Sequence, residues 1–242
     1  MLRQVWLKPR VNHIGDGIIN FIDVGSVGGL PETWSNNISK IKFLLNFEPS
    51  DEIKKGHNYV TYNTALWERN ETRIFYVYKG LDGTGSSLFK QNYTFVKKHW
   101  AELKDRGPKK LSSTWHERSK LKEKTQLECR SLDSVLDESF KGTHFHFIKI
   151  DAQGAESSIL KGANKFLSTS CVGLQLELFV IPLYVGAPLM DEVVDYLLGF
   201  DFKLVKKFQA HGSFDSQHEC VFLHKSRSPE IVDILKSIYQ IT

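Results

Sequence analysis

The stretch Ile18-Ile19-Asn20-Phe21-Ile22-Asp23-Val24-Gly25-Ser26-Val27-Gly28-Gly29 decides the fold. An apolar run closes on an acid and then on three glycines, which is how a strand buried on both faces passes into a tight turn that a ligand approaches closely. Glycine lets backbone N–H groups come near a bound molecule where a Cβ would collide, and the helix start beyond the turn favours negative charge. The stretch reads as the first strand of an α/β fold of nucleotide-binding type.

Its glycines fall as G-x-x-G-G, so the dinucleotide fingerprint G-x-G-x-x-G is absent. Asp23, two residues before the first glycine, suits a cofactor with a cationic end, and S-adenosylmethionine carries both a sulfonium and an amine. A plain glycine-rich turn is the competing reading of this segment taken alone. A second apolar strand, Ile41 to Phe47, ends in Glu48-Pro49-Ser50. A carboxylate there, about twenty residues after the glycine turn, is placed to accept the two ribose hydroxyls of an adenosine, although it also suits a helix cap.

Further along, Tyr59 to Ala65 reads as a third strand whose end, Ala65-Leu66, is placed to border an adenine, although small and apolar residues there are equally expected from packing alone. Residues 71–80 read as an extra strand, and Gly83 to Leu88, with Ser86 and Ser87, as a substrate loop or a simple connector. The lysine-rich stretch 91–124 reads as a solvated face. Gln126 to Arg130 is expected as a short strand, followed by a short helix over 131–136. Phe145 to Ile150 is strongly strand-like and delivers Asp151-Ala152-Gln153-Gly154-Ala155-Glu156, after which Ile159, Leu160, Ala163, Phe166 and Leu167 mark one helix. Asp151 thus occupies the crevice at the carboxyl end of a central strand.

In Val172 to Leu178 the polar set Gly173, Gln175 and Glu177 shares one face, and a Glu within an apolar strand needs a partner or a task. Tyr184 follows at a chain turn and is a candidate substrate contact. A helix over Asp191 to Leu198 stops at Gly199, and the strands Phe202 to Phe208 and Glu219 to His224 close the sheet. The loop between them holds His211 and His218, either of which can take a proton near neutral pH. The last helix starts at Ser228-Pro229, with Ser228 as its cap.

With 242 residues, 41% hydrophobic and 25% charged, the chain fits a single domain, 1–242, with 1–17 as a lead-in in which Trp6 and Leu7 pad the sheet, and insertions over 67–140. Net charge +4 with dispersed Lys and Arg argues against nucleic acid and suits an anionic acceptor. Three cysteines without C-x-x-C spacing argue against a disulfide framework or structural zinc. Without an apolar leader or a spanning segment, a cytoplasmic protein is expected.

These segments, in this order and spacing, resemble the FkbM-type S-adenosylmethionine-dependent methyltransferases from Phe21 to about Leu223. The resemblance rests on Phe21-Ile22-Asp23-Val24-Gly25 with Gly29, Phe47-Glu48-Pro49, Asn63-Thr64-Ala65-Leu66, Ser86-Ser87-Leu88, Ile148-Lys149-Ile150-Asp151 with Gln153-Gly154-Ala155-Glu156, Leu160-Lys161-Gly162-Ala163, and Pro182-Leu183-Tyr184. It implies a Rossmann-like class I methyltransferase fold: α/β, a seven-stranded, mostly parallel sheet with the last strand antiparallel, flanked by helices. It also implies that Asp23, Gly25, Ser26 and Gly29 line the methionine part of the cofactor, Glu48 its ribose, and Ala65 and Leu66 its adenine, with Asp151 between cofactor and acceptor. Val27 stands where the family usually has Asn.

The family's usual acceptors are hydroxyls of sugars, glycoconjugates and natural products. An alcohol is a poor nucleophile at neutral pH, so Asp151 and Glu177 are the candidate base and acceptor-positioning groups, His211 is a reserve, and Ser86, Ser87 and Tyr184 are candidate acceptor contacts. No metal is expected. Alternatives are an N-methyltransferase, against which Asp151-Ala152-Gln153-Gly154 stands in place of an Asn or Asp with Pro-Pro and an aromatic, and a non-catalytic cofactor-binding module.

Overall fold

The computed structural model describes residues 14–25, 29–49, 53–80 and 84–241. In chain order the described strands are β1 (Ile19–Val24), β2 (Ile41–Phe47), β3 (Lys54–Lys55), β4 (Tyr59–Tyr62), β5 (Ala65–Leu66), β6 (Glu71–Tyr78), β7 (Leu121–Arg130), β8 (Phe147–Ile150), β9 (Gly173–Phe179), β10 (Phe202–Lys207) and β11 (Gln217–His224). Eight of them form one sheet in the order β10-β11-β9-β8-β1-β2-β4-β3. The pairs β4/β2, β2/β1, β1/β8 and β8/β9 are parallel, whereas β11 runs antiparallel to both its neighbours. The expected seven strands are there. The eighth is β3, a two-lysine edge strand antiparallel to β4, and exposed lysines suit an edge that must not recruit another chain.

Continuous apolar sequence produces the central strands. All of β8 and β9 is buried, and β1 is buried at five of six positions. On one face Phe21, Phe147 and Trp34 pack with Tyr239, the Phe21 and Trp34 rings stacking at 4.5 Å. Trp34 sits on the short helix Glu32–Ser35, which places it inward. The other face holds Ile22, Val24, Leu45, Ile148, Leu174 and Phe222 against the helices Leu132–Ser139, Glu156–Lys161, Asn164–Thr169 and Met190–Leu198. Each such fully buried side chain stabilises the fold by about 1.5–3 kcal/mol.

Several boundaries differ from the sequence reading for physical reasons. The third strand ends at Tyr62, because Ala65–Leu66 leaves the main sheet and pairs with β7 in a second sheet ordered β5-β7-β6. The strand expected over 126–130 is longer, Leu121–Arg130, since it pairs antiparallel along the length of β6. The helix expected after Asp151 is two helices. It breaks at Gly162, whose missing side chain lets the chain pass Trp67, where a Cβ would lie 2.1 Å from the Trp67 carbonyl oxygen.

The charged stretch 91–124 is not merely a solvated face: short helices there bury Val96, Leu103 and Trp115 against Phe179, Leu183 and Phe214. Ser228 precedes the last helix, Pro229–Tyr239, at φ 37° without a side-chain capping bond. The three cysteines are free and buried, and burial raises the thiols of Cys129 to about 11 and Cys220 to about 12. No helix among the described residues is long and apolar enough to cross a membrane.

Candidate active site

The site grows from strand register. Val24 pairs with Phe47 on one side and Ile150 on the other, and Ile150 pairs with Leu176. The ladder continues one residue further, with Gly25 N–H donating to the Phe47 carbonyl (3.0 Å), Asp151 N–H to Val24 (3.1 Å) and Glu48 N–H to Tyr62 (3.0 Å). Glu48, Gly25, Asp151 and Glu177 therefore stand level at the carboxyl ends of four parallel strands. Glu219 extends that row, since it is the cross-strand partner of Glu177. Two residues earlier, on the same face, Asn46, Asp23, Lys149 and Gln175 make a second polar row.

The two rows carry different burdens. Lys149 is 3% exposed and Asp23 fully buried, and their side chains pair at 3.4 Å, with Asp151 4.0 Å from the same ammonium. Burial alone would lower Lys149, but Asp23, Asp151, Glu219 and Glu177 reverse this and hold it protonated. Burial raises Asp23, and Lys149 pulls it partly back. Asp23 thus lies beneath the site as part of an internal ion pair.

Above it, a cavity of about 560 Å³ is lined by Gly25, Glu48, Ala65, Leu66, Ser86 and Asp151, with Val24, Phe47 and Ile159 as apolar wall. That volume is within the range of small-molecule sites. Phe75, Val77, Thr125 and Leu127 of β6 and β7 also line it, so the second sheet is a wall of the pocket. Gly25 has φ +78°, and any Cβ there would lie 2.0 Å from the Asp151 carbonyl oxygen, which is why glycine is required. Ser26 and the Val27 departure, like Gly28, Gly83 and the lead-in residues Trp6 and Leu7, lie outside the described residues. Gly29 is described, at φ +96° beyond that turn, and is not among the residues that line the cavity.

Of the three candidate acceptor contacts, Ser86 lines the cavity and the other two support it. The Ser87 hydroxyl donates to the Gln153 carbonyl at 2.7 Å and is buried. The Tyr184 hydroxyl lies 2.9 Å from the Gly85 carbonyl oxygen and 3.0 Å from Gln153 Oε1, tying the loop over 84–86 to the turn after β8. Sequence reasoning did not single out Gln153, yet it is the junction. It sits at φ +52°, unusual for a non-glycine, and its Nε2 donates to Asp151 Oδ1 at 3.0 Å and to Glu177 Oε2 at 2.7 Å.

Glu177 also accepts from Gln217 Nε2 at 2.6 Å, and His211 Nε2 lies 3.1 Å from its Oε1. Burial first, then Asp151 and Glu219, push its carboxyl well above the usual range. His218 is elsewhere, with Nδ1 2.8 Å from the Phe208 carbonyl oxygen. Glu219, Gln175 and Lys149 were also missed as site residues; a lone Lys in the apolar run Phe147–Ile150 is the signal that could have revealed one of them.

Glu156, at the start of the helix after the turn, accepts from Ala152 N–H at 2.8 Å, and burial raises its carboxyl to about 8. A raised carboxyl binds its proton more tightly in the folded state, so its contribution to stability is complete below about pH 4.5 and is lost as pH climbs through about 8. Denaturation profiles at pH 5 and pH 8 are expected to show the protein less stable at the higher value, and Glu156→Gln to shrink that difference. An unchanged difference in the variant would contradict the assignment.

A model of the methyltransferase FkbM domain matches residues 23–204. Among solved structures, that of a methyltransferase FkbM from Methylobacillus flagellatus KT is similar at 13% identity and a TM-score of 0.47. The match covers 87% of this chain and 44% of that one, so the chain spans less than half the length of that protein. No curated protein matches the sequence.

Proposed function

The chain belongs to the FkbM methyltransferase family, and from that premise we propose that it uses S-adenosylmethionine to methylate a hydroxyl of a sugar, glycoconjugate or natural product. One observation carries the proposal: Glu48, Gly25 and Asp151 converge on a single cavity at the carboxyl ends of adjacent parallel strands, with apolar Ala65, Leu66 and Ile159 beside them. The donor set fits the cofactor. A carboxylate at Glu48 suits a ribose diol, the apolar wall suits a purine, and the Gly25 backbone gives close approach.

When bound, S-adenosylmethionine would supply its sulfonium methyl to an acceptor oxygen, the carbon–sulfur bond breaking as the carbon–oxygen bond forms and S-adenosylhomocysteine leaving. The chain then has two tasks. It orients the acceptor, for which Ser86 and the acids beyond Asp151 are placed, and it removes the hydroxyl proton as the new bond forms; of the two cavity-lining carboxylates, Glu48 is assigned to the ribose and Asp151 to the proton. The Glu177 and His211 pair behind Gln153 offers a second proton acceptor on the same side. The net charge of +4 favours an anionic acceptor.

Isothermal titration with S-adenosylhomocysteine, with NAD as control, tests the pocket without the acceptor. Selective micromolar binding, about −8 kcal/mol, is expected. Glu48→Ala should weaken it by about tenfold or more, the scale of lost charge-assisted hydrogen bonds. Affinity for NAD equal to that for S-adenosylhomocysteine, or an unaffected Glu48→Ala, would remove the cofactor assignment.

A further inference from the structure

We propose that Glu177, His211 and Glu219 bind one divalent first-row cation on the acceptor side of Asp151. One oxygen or nitrogen from each of the three lies within 4.8 Å of the others. His211 Nε2 and Glu177 Oε1 are 3.1 Å apart, and adjacent ligands of an octahedral ion at about 2.1 Å lie about 3 Å from each other. Two carboxylates with one imidazole suit Mn²⁺, Fe²⁺ or Zn²⁺. His211 is 41% exposed and leaves an entry path, whereas Glu177 is buried.

Register supplies an independent reason. Glu177 and Glu219 are direct partners across the antiparallel pair β9 and β11, a position where like charges destabilise a sheet. Lys149 attracts both from a distance, but its side-chain ion pairs are with Asp23 and Asp151, so no cationic group sits between the two carboxylates among the described ion pairs. A cation bound between the two glutamates would bridge them directly.

The surroundings are built as an outer coordination sphere. Gln217 and Gln153 donate to Glu177, and Gln175 Nε2 donates to Glu219 Oε2 at 2.7 Å. Gln175 is itself fixed by the Tyr239 hydroxyl at 2.6 Å, which accepts from Trp34 Nε1 at 2.7 Å. Such a chain of amides and hydroxyls orients ligand oxygens before the ion arrives. If the methyl-transfer reading holds, on which this step rests, an acceptor hydroxyl that reached past Gln153 to the cation would lose its proton to Asp151 more easily.

The test titrates the full chain, stripped with EDTA, with Mn²⁺ and follows free and bound ion by electron paramagnetic resonance. One ion per chain is expected, with a single nitrogen coupling that His211→Ala abolishes, and Glu219→Gln should weaken binding by about 100-fold. The apo variant's thermal midpoint, measured beside the parent's, shows that the variant is folded. Absence of saturable Mn²⁺ binding to the parent, or no nitrogen coupling, would overturn the proposal. Titration of the same samples with S-adenosylhomocysteine separates the two readings: Mn²⁺ bound without it keeps the cation site and loses methyl transfer, and the reverse loses only the site.

Discussion

Replacing Lys149 with methionine is expected to cost about 3–5 kcal/mol, enough to leave the protein marginal or unfolded. The ammonium is 3% exposed in the middle of β8, between two neighbouring strands, and its partner Asp23 has no exposure at all. Methionine preserves the apolar stem but strands a buried carboxylate, and that uncompensated charge is the main cost. The variant's pH dependence follows from the same physics. Without its ammonium, Asp23 binds a proton more tightly in the folded state than in the unfolded one, so stability survives at low pH and is lost as pH rises through the folded value. Urea denaturation of Lys149→Met at pH 5 and pH 8 should show the larger loss at pH 8, and Asp23→Leu combined with Lys149→Met should recover most of it. A single variant as stable as the parent at both pH values would show that the ion pair does not hold the two strands together.

This places Asp23 in a role that local sequence does not disclose. An acid before a glycine turn is equally consistent with a ligand contact and with an internal ion pair, and the difference is set by a lysine 126 residues away in the chain. What the sequence carries directly is the periodicity. Continuous apolar runs ending in Asp23, Glu48 and Asp151 fixed three central strands and the level at which they end. What it does not carry is register. Glu177 and Glu219 become neighbours only through an antiparallel pairing across a helix and a strand, and no local pattern states that offset. The second sheet was hidden for the same reason: β5 is two residues long and exists because β7, more than fifty residues later, pairs with it. The aromatic cluster of Trp115, Phe179 and Phe214 was hidden because its members lie far apart in sequence and meet only through the tertiary fold.

Asp151→Asn is expected to lower turnover by about 10²–10⁴-fold, the range for a lost general base, while S-adenosylhomocysteine affinity stays within a few-fold of the parent. The amide keeps the size of the side chain and can still accept from Gln153 Nε2, so the turn after β8 is held; proton removal is lost, together with the long ion pair to Lys149, which still keeps Asp23. Glu177→Gln should behave differently. Glu177 is buried behind Gln153 and is not among the cavity-lining residues, so its loss acts through the acceptor side: a drop in turnover that added Mn²⁺ partly restores, where Asp151→Asn is not restored at any Mn²⁺ concentration. The assay is methyl transfer to whichever hydroxyl acceptor the parent enzyme accepts in a screen of anionic and neutral sugars. Full turnover in Asp151→Asn would move the base to the Glu177 and His211 pair. Identical losses in both variants, neither responding to Mn²⁺, would mean that the row of acids works as one hydrogen-bonded unit and that no single carboxylate takes the proton alone.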